Sequence, residues 1–156
     1  MKLFLLLLLS LNILNASVTR KSSTNIVYDT TTNLEWLDSY DGYDTNLTWE
    51  KAIDFCENYT SVDADAIETP KSDWRLPNIN ELKSLIDYTR SKPAIIGGEG
   101  VFIYVNQSSD YWSSTTKLAS TKDRAYTVIF QYGKVSYEYK RVGINTSFRC
   151  VRNKGE

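Results

Sequence analysis

Two cysteines and the absence of histidine limit the chemistry that this chain can perform. Cys56 and Cys150 are its only thiols, and they follow a segment with the pattern of an export signal, so we expect one disulfide formed in an oxidising compartment. A reactive thiol is the alternative, but it needs a cationic, partly exposed setting. Without histidine the chain lacks the commonest general base and the commonest zinc or copper ligand.

Carboxylates are the remaining catalytic candidates, because 19 acidic residues always allow some pairing. No pair is singled out by its spacing, so we do not expect an enzyme. The densest acidic segment holds Asp38, Asp41 and Asp44 among tyrosines that could stack on a sugar. Its oxygen ligands could bind calcium, but the spacing is not that of a helix-loop-helix calcium site. We therefore expect a solvated loop and no cofactor.

Basic residues are concentrated toward the C-terminus. Residues 17–100 carry 8 basic and 15 acidic side chains, whereas residues 101–156 carry 9 basic and 4 acidic ones. A cluster of cations attracts polyanions, so an anionic ligand is one hypothesis, and ordinary solvated charge is the other. Nucleic acid is not expected as the partner of an exported protein. The cations predicted to form an exposed patch on the last strands are Lys134, Lys140, Arg141, Arg149 and Arg152.

The N-terminal segment has the pattern of a secretory signal, with Lys2 before a leucine-rich run that ends near Ala16. We predict a signal peptide at 1–16, a short flexible polar lead-in at 17–25 and one domain at 26–156. The apolar run of about 12 residues is shorter than the roughly 20 needed to span a bilayer. The mature chain is expected in the periplasm or at the cell surface, with no transmembrane segment.

Two amphipathic helices are predicted to follow two short strands near the domain's start. The first helix begins after Thr48, whose hydroxyl is suited to capping it, and its apolar stripe includes Cys56. The second begins at Asn78, which has the spacing of a capping box with Glu81. Between the helices, Arg75 is expected to pair with nearby carboxylate Asp73.

The C-terminal half is predicted to be rich in strands. Residues 87–110 are a long connection of the kind that often binds ligands, and Tyr104 and Asp110 are its candidate contacts. In the strand after Gly133, one face carries Val135, Tyr137 and Tyr139, which indicates a one-sided antiparallel sheet. The last strand is expected at 147–152. All four tryptophans are expected in the core, and the order of elements predicts an α+β fold.

Several segments together resemble the Lcl C-terminal domain family, named after a bacterial collagen-like adhesin. They are Asn33–Trp36, Thr48–Ala52 leading to Cys56, Asp73–Asn78 with Glu81, Tyr111–Thr115 and Phe148–Arg152. The resemblance implies a C-type-lectin-like fold and a disulfide from the first helix to the last strand. It also implies a surface or periplasmic binding module, with sulfated polysaccharide or host matrix as the ligand in some members. The chain has no collagenous tract and only 7 glycines, so adhesion by a trimeric stalk is not implied.

The sequence thus predicts a non-catalytic binding module of a Gram-negative envelope, for a glycan, sulfated or not, or for a protein partner. A structural component of the envelope and a carboxylate-dependent enzyme are the alternatives. Asn46 lies in an acidic-extended glycosylation sequon, Asp44–Thr48, and is a candidate modification site.

Overall fold

The computed structural model describes residues 18–21, 24–43, 46–60, 73–118 and 120–155. The predicted signal peptide and Asp44 lie outside these residues. The described strands are β1 (Val18–Arg20), β2 (Ile26–Asp29), β3 (Leu34–Leu37), β4 (Asp110–Thr116), β5 (Arg124–Ile129), β6 (Lys134–Tyr139), β7 (Thr146–Ser147) and β8 (Val151–Asn153). The described helices are α1 (Tyr40–Tyr43), α2 (Trp49–Asn58) and α3 (Ile79–Ser84), and a 3-10 turn covers Gly98–Gly100. The predicted α+β class is confirmed.

The strands form two four-stranded sheets. The first has the order β1-β2-β3-β8 and is antiparallel throughout. The second has the order β6-β5-β4-β7, in which only the β4–β7 pair is parallel. Strand β1 falls within the expected lead-in, so the ordered fold includes residues before Ile26.

The closing segment, defined as residues 146–153, connects the two sheets. The single last strand expected at 147–152 is wrong: Thr146–Ser147 pairs with β4, whereas Val151–Asn153 pairs with β3. Between them the chain leaves strand geometry in order to cross from one sheet to the other. Both ends of this crossing are buried, so it runs through the core.

The second sheet is packed on both faces, because successive side chains of a strand point to opposite sides. Tyr111 belongs to a core cluster that includes Leu82 and Leu85 around α3. Its neighbour Trp112 belongs to another cluster, with Ala52 and Cys56 of α2. The two helices therefore cover opposite faces of this sheet.

The predicted disulfide is confirmed. Cys56 of α2 bonds Cys150, 94 residues later, with their Cα atoms 5.4 Å apart. Both cysteines are fully buried. Closing a loop of this length stabilises a domain by up to about 4 to 5 kcal/mol in the chain-entropy model. The bond ties the closing segment to the first long helix.

Helix termini only partly follow the sequence prediction. The capping box of α3 is confirmed, with the Asn78 side chain bonded to the Glu81 N–H and the Glu81 carboxylate bonded to the Asn78 N–H. Thr48 precedes α2, but its hydroxyl makes no capping bond. Instead the Trp49 N–H donates to the Lys140 carbonyl oxygen at 2.9 Å. A tertiary contact thus satisfies the first N–H of the helix, and Thr48 contributes no side-chain cap to the next ones.

Two expectations about apolar side chains are wrong because β6 and the start of α2 lie at the surface. Strand β6 is an edge strand, and Val135 and Tyr137 are 37% and 42% exposed instead of packed in the core. Trp49 is only half-buried, whereas the other three tryptophans are buried as predicted.

Candidate functional site

Arg149, expected on an exposed cationic face, is instead buried beside Asp38. Its Nη1 donates to Asp38 Oδ1 at 2.7 Å, and its Nη2 donates to the Tyr104 carbonyl oxygen at 2.9 Å. Arg20 donates to the other Asp38 oxygen, and the N–H groups of Ile103 and Tyr104 also donate to this carboxylate. The expectation of a solvated Asp38 is therefore also wrong, because its oxygens are occupied by protein donors inside the fold.

Arg152, the other terminal arginine expected at the surface, is buried too. Its Nε donates to Glu35 Oε2 at 2.7 Å, and its guanidinium lies 4.5 Å from the centre of the Trp74 ring. Its Nη1 is 3.7 Å from a carboxylate oxygen of Asp73. Because Glu35 and Arg152 are paired residues of β3 and β8, this ion pair holds the first sheet and is not available for a ligand.

Arg75 pairs with Glu81, not with Asp73 as expected. Its two terminal nitrogens donate to the two Glu81 oxygens at 2.7 and 2.6 Å. Burial by itself raises the pKa of Glu81, but the hydrogen bonds from Arg75 and the Asn78 N–H, with the charge of Arg75, outweigh it and leave the pKa lowered. The Arg75 backbone also bridges to Val151. The tryptophan-arginine-leucine-proline motif is therefore structural.

Five cations that remain at the surface meet at one end of the second sheet, which we name the cationic end. Strand β4 ends, β5 begins and β6 ends at this edge, because antiparallel neighbours run in opposite directions. The Lys117 N–H donates to the Arg124 carbonyl oxygen and the Lys140 N–H to the Asp123 carbonyl oxygen, both at 2.9 Å. The cationic end consists of Lys117, Lys122, Arg124, Lys140 and Arg141.

Aromatic rings lie close to four of these cations, and the longest of these contacts is that of Arg141, 5.6 Å from the Tyr139 ring centre. The Lys117 Nζ lies 3.6 Å from the centre of the Tyr137 ring. The Arg124 guanidinium lies 4.2 Å from the Tyr139 ring centre and also bonds the Tyr139 hydroxyl.

The Lys140 Nζ lies 3.8 Å from the Trp49 ring, and this ring also donates its indole N–H to the Ser113 carbonyl oxygen at 2.8 Å. Such contacts hold a cation in place without neutralising its charge. A cleft of about 320 Å³ lies beside them, lined by Glu50, Lys122, Asp123, Lys140 and Arg141.

Lys134 and Asp110 lie away from the cationic end. Lys134 is exposed at the opposite end of β6, where it pairs with Ile129 of β5. Asp110 is half-buried, and burial raises the pKa of its carboxyl although the Thr127 hydroxyl donates to it at 2.6 Å. The structure therefore brings together only Lys140 and Arg141 of the predicted cationic patch.

Tyr104 lies in a cluster of three tyrosines. Its ring centre is 6.1 Å from that of Tyr40 and 6.5 Å from that of Tyr43, and the Tyr40 and Tyr43 rings are 5.8 Å apart. Tyr40 is 65% exposed. We name this cluster the tyrosine pad.

The acidic loop contributes no metal site among the described residues, where no group of three acidic or cysteine side chains could hold an ion. Asp41 is exposed, and Asp44 lies outside the described residues. The calcium alternative needed Asp38 as well, but the Asp38 oxygens bind Arg20 and Arg149 instead. Asn46 is also exposed, with its side-chain oxygen accepting the Asn145 N–H at 2.8 Å. Its glycosylation stays a prediction.

Sequence reasoning missed three members of the cationic end, Lys117, Lys122 and Arg124. They flank the turn between β4 and β5, whereas the predicted patch drew only on the last strands. The positive charge of residues 101–156 was the available signal. The position of this charge on the surface becomes visible only when β5 is paired with β4 and β6.

These features define a class of protein, an α+β domain with one disulfide. Two of its arginines form buried ion pairs with carboxylates, and five other cations cluster at the surface. The chain belongs to the Lcl C-terminal domain family, which matches residues 25–152. No curated protein and no solved structure gives a match to the chain. In the described part of the chain, no helix has the length and apolar character needed to cross a membrane.

Proposed function

We propose that this protein is an exported, non-catalytic binding module whose cationic end binds an anionic glycan such as a sulfated polysaccharide. The observation that carries the proposal is the seating of Lys117, Arg124 and Lys140 on aromatic rings. Cations held in this way are pre-positioned, which lowers the entropy lost on binding. Lys140 and Arg141 are the contacts already expected from the sequence.

The different burial of the cations supports the same proposal. Arg149 and Arg152 each have a buried carboxylate partner, so they add little to the external field. Lys122 and Arg141 are exposed beside the cleft, where they can meet sulfate or carboxylate groups. Among the described residues, the acids that line that cleft are Glu50 and Asp123.

Membership of the family supports a surface module without naming its partner.

We further propose a C-type-lectin-like fold, supported by the long-range bond between Cys56 and Cys150. Export through cleavage after Ala16 would place the protein in the periplasm or at the surface of a Gram-negative cell. N-terminal sequencing of the mature protein tests the cleavage, and an experimentally determined structure tests the fold.

Binding of dextran sulfate and of unsulfated dextran, measured at two salt concentrations, tests the ligand. We expect dextran sulfate alone to bind at about 0.1 M salt, where charges act over about 10 Å, and to be released at about 1 M, where they act over about 3 Å. Lys117→Ala with Arg141→Ala should weaken this binding about tenfold.

The matched control is Lys83→Ala with Lys154→Ala, which removes the same charge from exposed positions elsewhere. Lys154 also lies over a ring, that of Tyr28 at 4.1 Å. An equal loss of binding in the control pair would show that net charge alone attracts the glycan. That result, or no binding of dextran sulfate at either salt concentration, contradicts the assignment to the cationic end.

A further inference from the structure

We propose that the tyrosine pad is a second binding surface, one that takes a neutral pyranose of a glycan and acts independently of the cationic end. Tyr40, Tyr43 and Tyr104 carry this surface. It extends the proposed function, since it assigns a different chemical class of ligand to a different part of the molecule.

The three rings form one contact cluster: the Tyr40 and Tyr43 planes are stacked at 27° to each other, and the Tyr104 plane meets them at 79° and 66°. Their centres are 5.8 to 6.5 Å apart, which is the separation of aromatic rings in direct contact. They leave no gap in which a quaternary ammonium group could be enclosed. Tyr40 is the most open of the three at 65% exposed, so a sugar ring stacked on Tyr40 and bordered by Tyr43 and Tyr104 is the ligand shape that fits.

The backbone beneath the pad is held from several directions. The Tyr104 N–H donates to Asp38 at 3.2 Å, and the Tyr104 carbonyl oxygen accepts from Arg149 at 2.9 Å. The Tyr43 carbonyl oxygen accepts from the Ser147 hydroxyl at 2.8 Å. A surface whose backbone is fixed in this way loses little conformational freedom when a ligand binds.

Gly42, between the two helical tyrosines, allows this part of the pad to sit directly on the closing segment. Its carbonyl oxygen accepts the Phe148 N–H at 3.1 Å. A side chain at this position would clash with the Phe148 backbone oxygen. The buried Asp38 network and the closing segment therefore support the pad from below.

The chemistry of the pad favours a neutral sugar. The negative faces of aromatic rings attract the weakly positive C–H groups of a pyranose. In the described part of the chain, none of the three phenol hydroxyls has a protein hydrogen-bond partner, so each can bond a sugar hydroxyl. Arg20 and Arg149 are already bound to Asp38, and Asp41 is an exposed carboxylate beside Tyr40. These two arginines and two aspartates carry no net charge together, so the pad offers no uncompensated cation to select an anionic sugar.

The size of the pad argues against a protein partner. A tyrosine buries at most about 250 Å², and only Tyr40 is mostly exposed among the three. Even three fully exposed rings would present less than the roughly 800 Å² per partner of a stable protein complex. A pad of this size suits one or two sugar rings.

An array of neutral oligosaccharides built from glucose, galactose, mannose and N-acetylhexosamines, probed with the full mature chain at about 1 M salt, tests the inference. At that ionic strength charges act over only about 3 Å, so binding through the cationic end is suppressed. We expect retained binding to at least one neutral glycan. Tyr40→Ala should weaken it at least about tenfold, and Tyr104→Ala should do the same.

Tyr88→Ala is the matched control, because Tyr88 is 74% exposed and lies outside the pad. It should leave neutral-glycan binding unchanged, and so should the Lys117→Ala, Arg141→Ala pair. Absence of binding to every neutral glycan overturns the inference, as does binding that Tyr40→Ala leaves intact. Failure of the cationic-end proposal would appear separately: the unsubstituted protein would not bind dextran sulfate, or the two double variants would lose it equally, while binding to the neutral array stayed unchanged.

Discussion

The closing segment and the cationic end are both rich in cations and lie close together in the sequence, but they place those cations in opposite environments. Arg149 and Arg152 are 2% and 1% exposed, and each is paired with a carboxylate. Lys140 and Arg141 lie at the surface beside a cleft. The comparison shows that local cation density does not locate a binding surface in this protein.

The cause of the difference is the path of the chain. The closing segment crosses between two sheets through the core, so its arginines need buried partners, and Asp38 and Glu35 provide them. Strand β6 has a neighbour on one side only. Its end therefore remains open to solvent, and its cations rest on rings instead of carboxylates.

Replacing one arginine from each region tests the comparison most strongly. Arg149→Met should lower the free energy of unfolding by about 3 to 5 kcal/mol, because it leaves the buried Asp38 carboxylate with fewer partners. Arg141→Ala should change it by less than about 0.5 kcal/mol. Urea denaturation with the disulfide intact measures both. Equal losses of unfolding free energy in the two variants would contradict the difference between the two regions.

Removing the disulfide should affect the closing segment more than the cationic end. Cys56→Ala with Cys150→Ala is expected to cost about 2 to 5 kcal/mol. Amide hydrogen exchange under native conditions should then rise more at 148–152 than at 134–139, since the bond anchors only the former directly. A larger rise in exchange in β6 than in the closing segment would contradict this view.

Arg75, which is half-buried, provides an intermediate case. Its partner Glu81 has a lowered pKa in the folded state, so the pair stabilises the fold above the usual glutamate pKa of about 4.3. This stabilisation is lost as the pH falls through the lower folded value. Glu81→Gln should cost about 1 to 2 kcal/mol at neutral pH, after allowance for partial exposure.

Thermal unfolding of Glu81→Gln and the unsubstituted protein between pH 2 and pH 7 measures this effect. The difference in melting temperature should narrow as the medium becomes more acidic. A difference independent of pH would mean that the charge of Glu81 contributes nothing to the pair.

Asp110 is a half-buried acid without an ion-pair partner among the described residues, so we expect the smallest effect and the opposite sign. Burial raises the pKa of its carboxyl in the folded state, and the ionised form therefore destabilises the fold at neutral pH. Asp110→Asn keeps an oxygen acceptor for the Thr127 hydroxyl. It should raise stability by less than about 1 kcal/mol at pH 7.

That gain should vanish below the usual aspartate pKa of about 3.9, where both states of the unsubstituted protein are protonated. Melting curves at pH 3 and pH 7 check the sign. A loss of stability at pH 7 would show that the Asp110 charge is useful to the fold, in contrast to our expectation.

Local signals predicted the elements that depend on neighbouring residues. The capping box at Asn78 and Glu81 is one example, because its bonds span three residues. Thr48 was a suitable cap by the same reasoning, but the start of α2 is bonded to Lys140 from a distant strand. The sequence therefore located the start of both helices but predicted the capping bonds of α3 alone.

The site was predicted less well than the fold. Lys140 and Arg141 were identified, but Lys117 and Arg124 became their neighbours only through the pairing of three strands. Asp38 was expected in solvent because its sequence neighbours are polar and aromatic. Its burial depends on Arg20 and Arg149, which come from opposite ends of the described chain.

The sequence by itself determined the α+β class and the starts of α2 and α3, because these follow from periodicity and capping residues, and the bond between its only two cysteines. The family followed from the resemblance of several motifs. Tertiary structure alone decided which cations are buried and which face solvent. Burial of a charge depends on whether the fold brings a partner of opposite sign to it, and Arg149 and Asp38 are 111 residues apart. No local pattern encodes that distance.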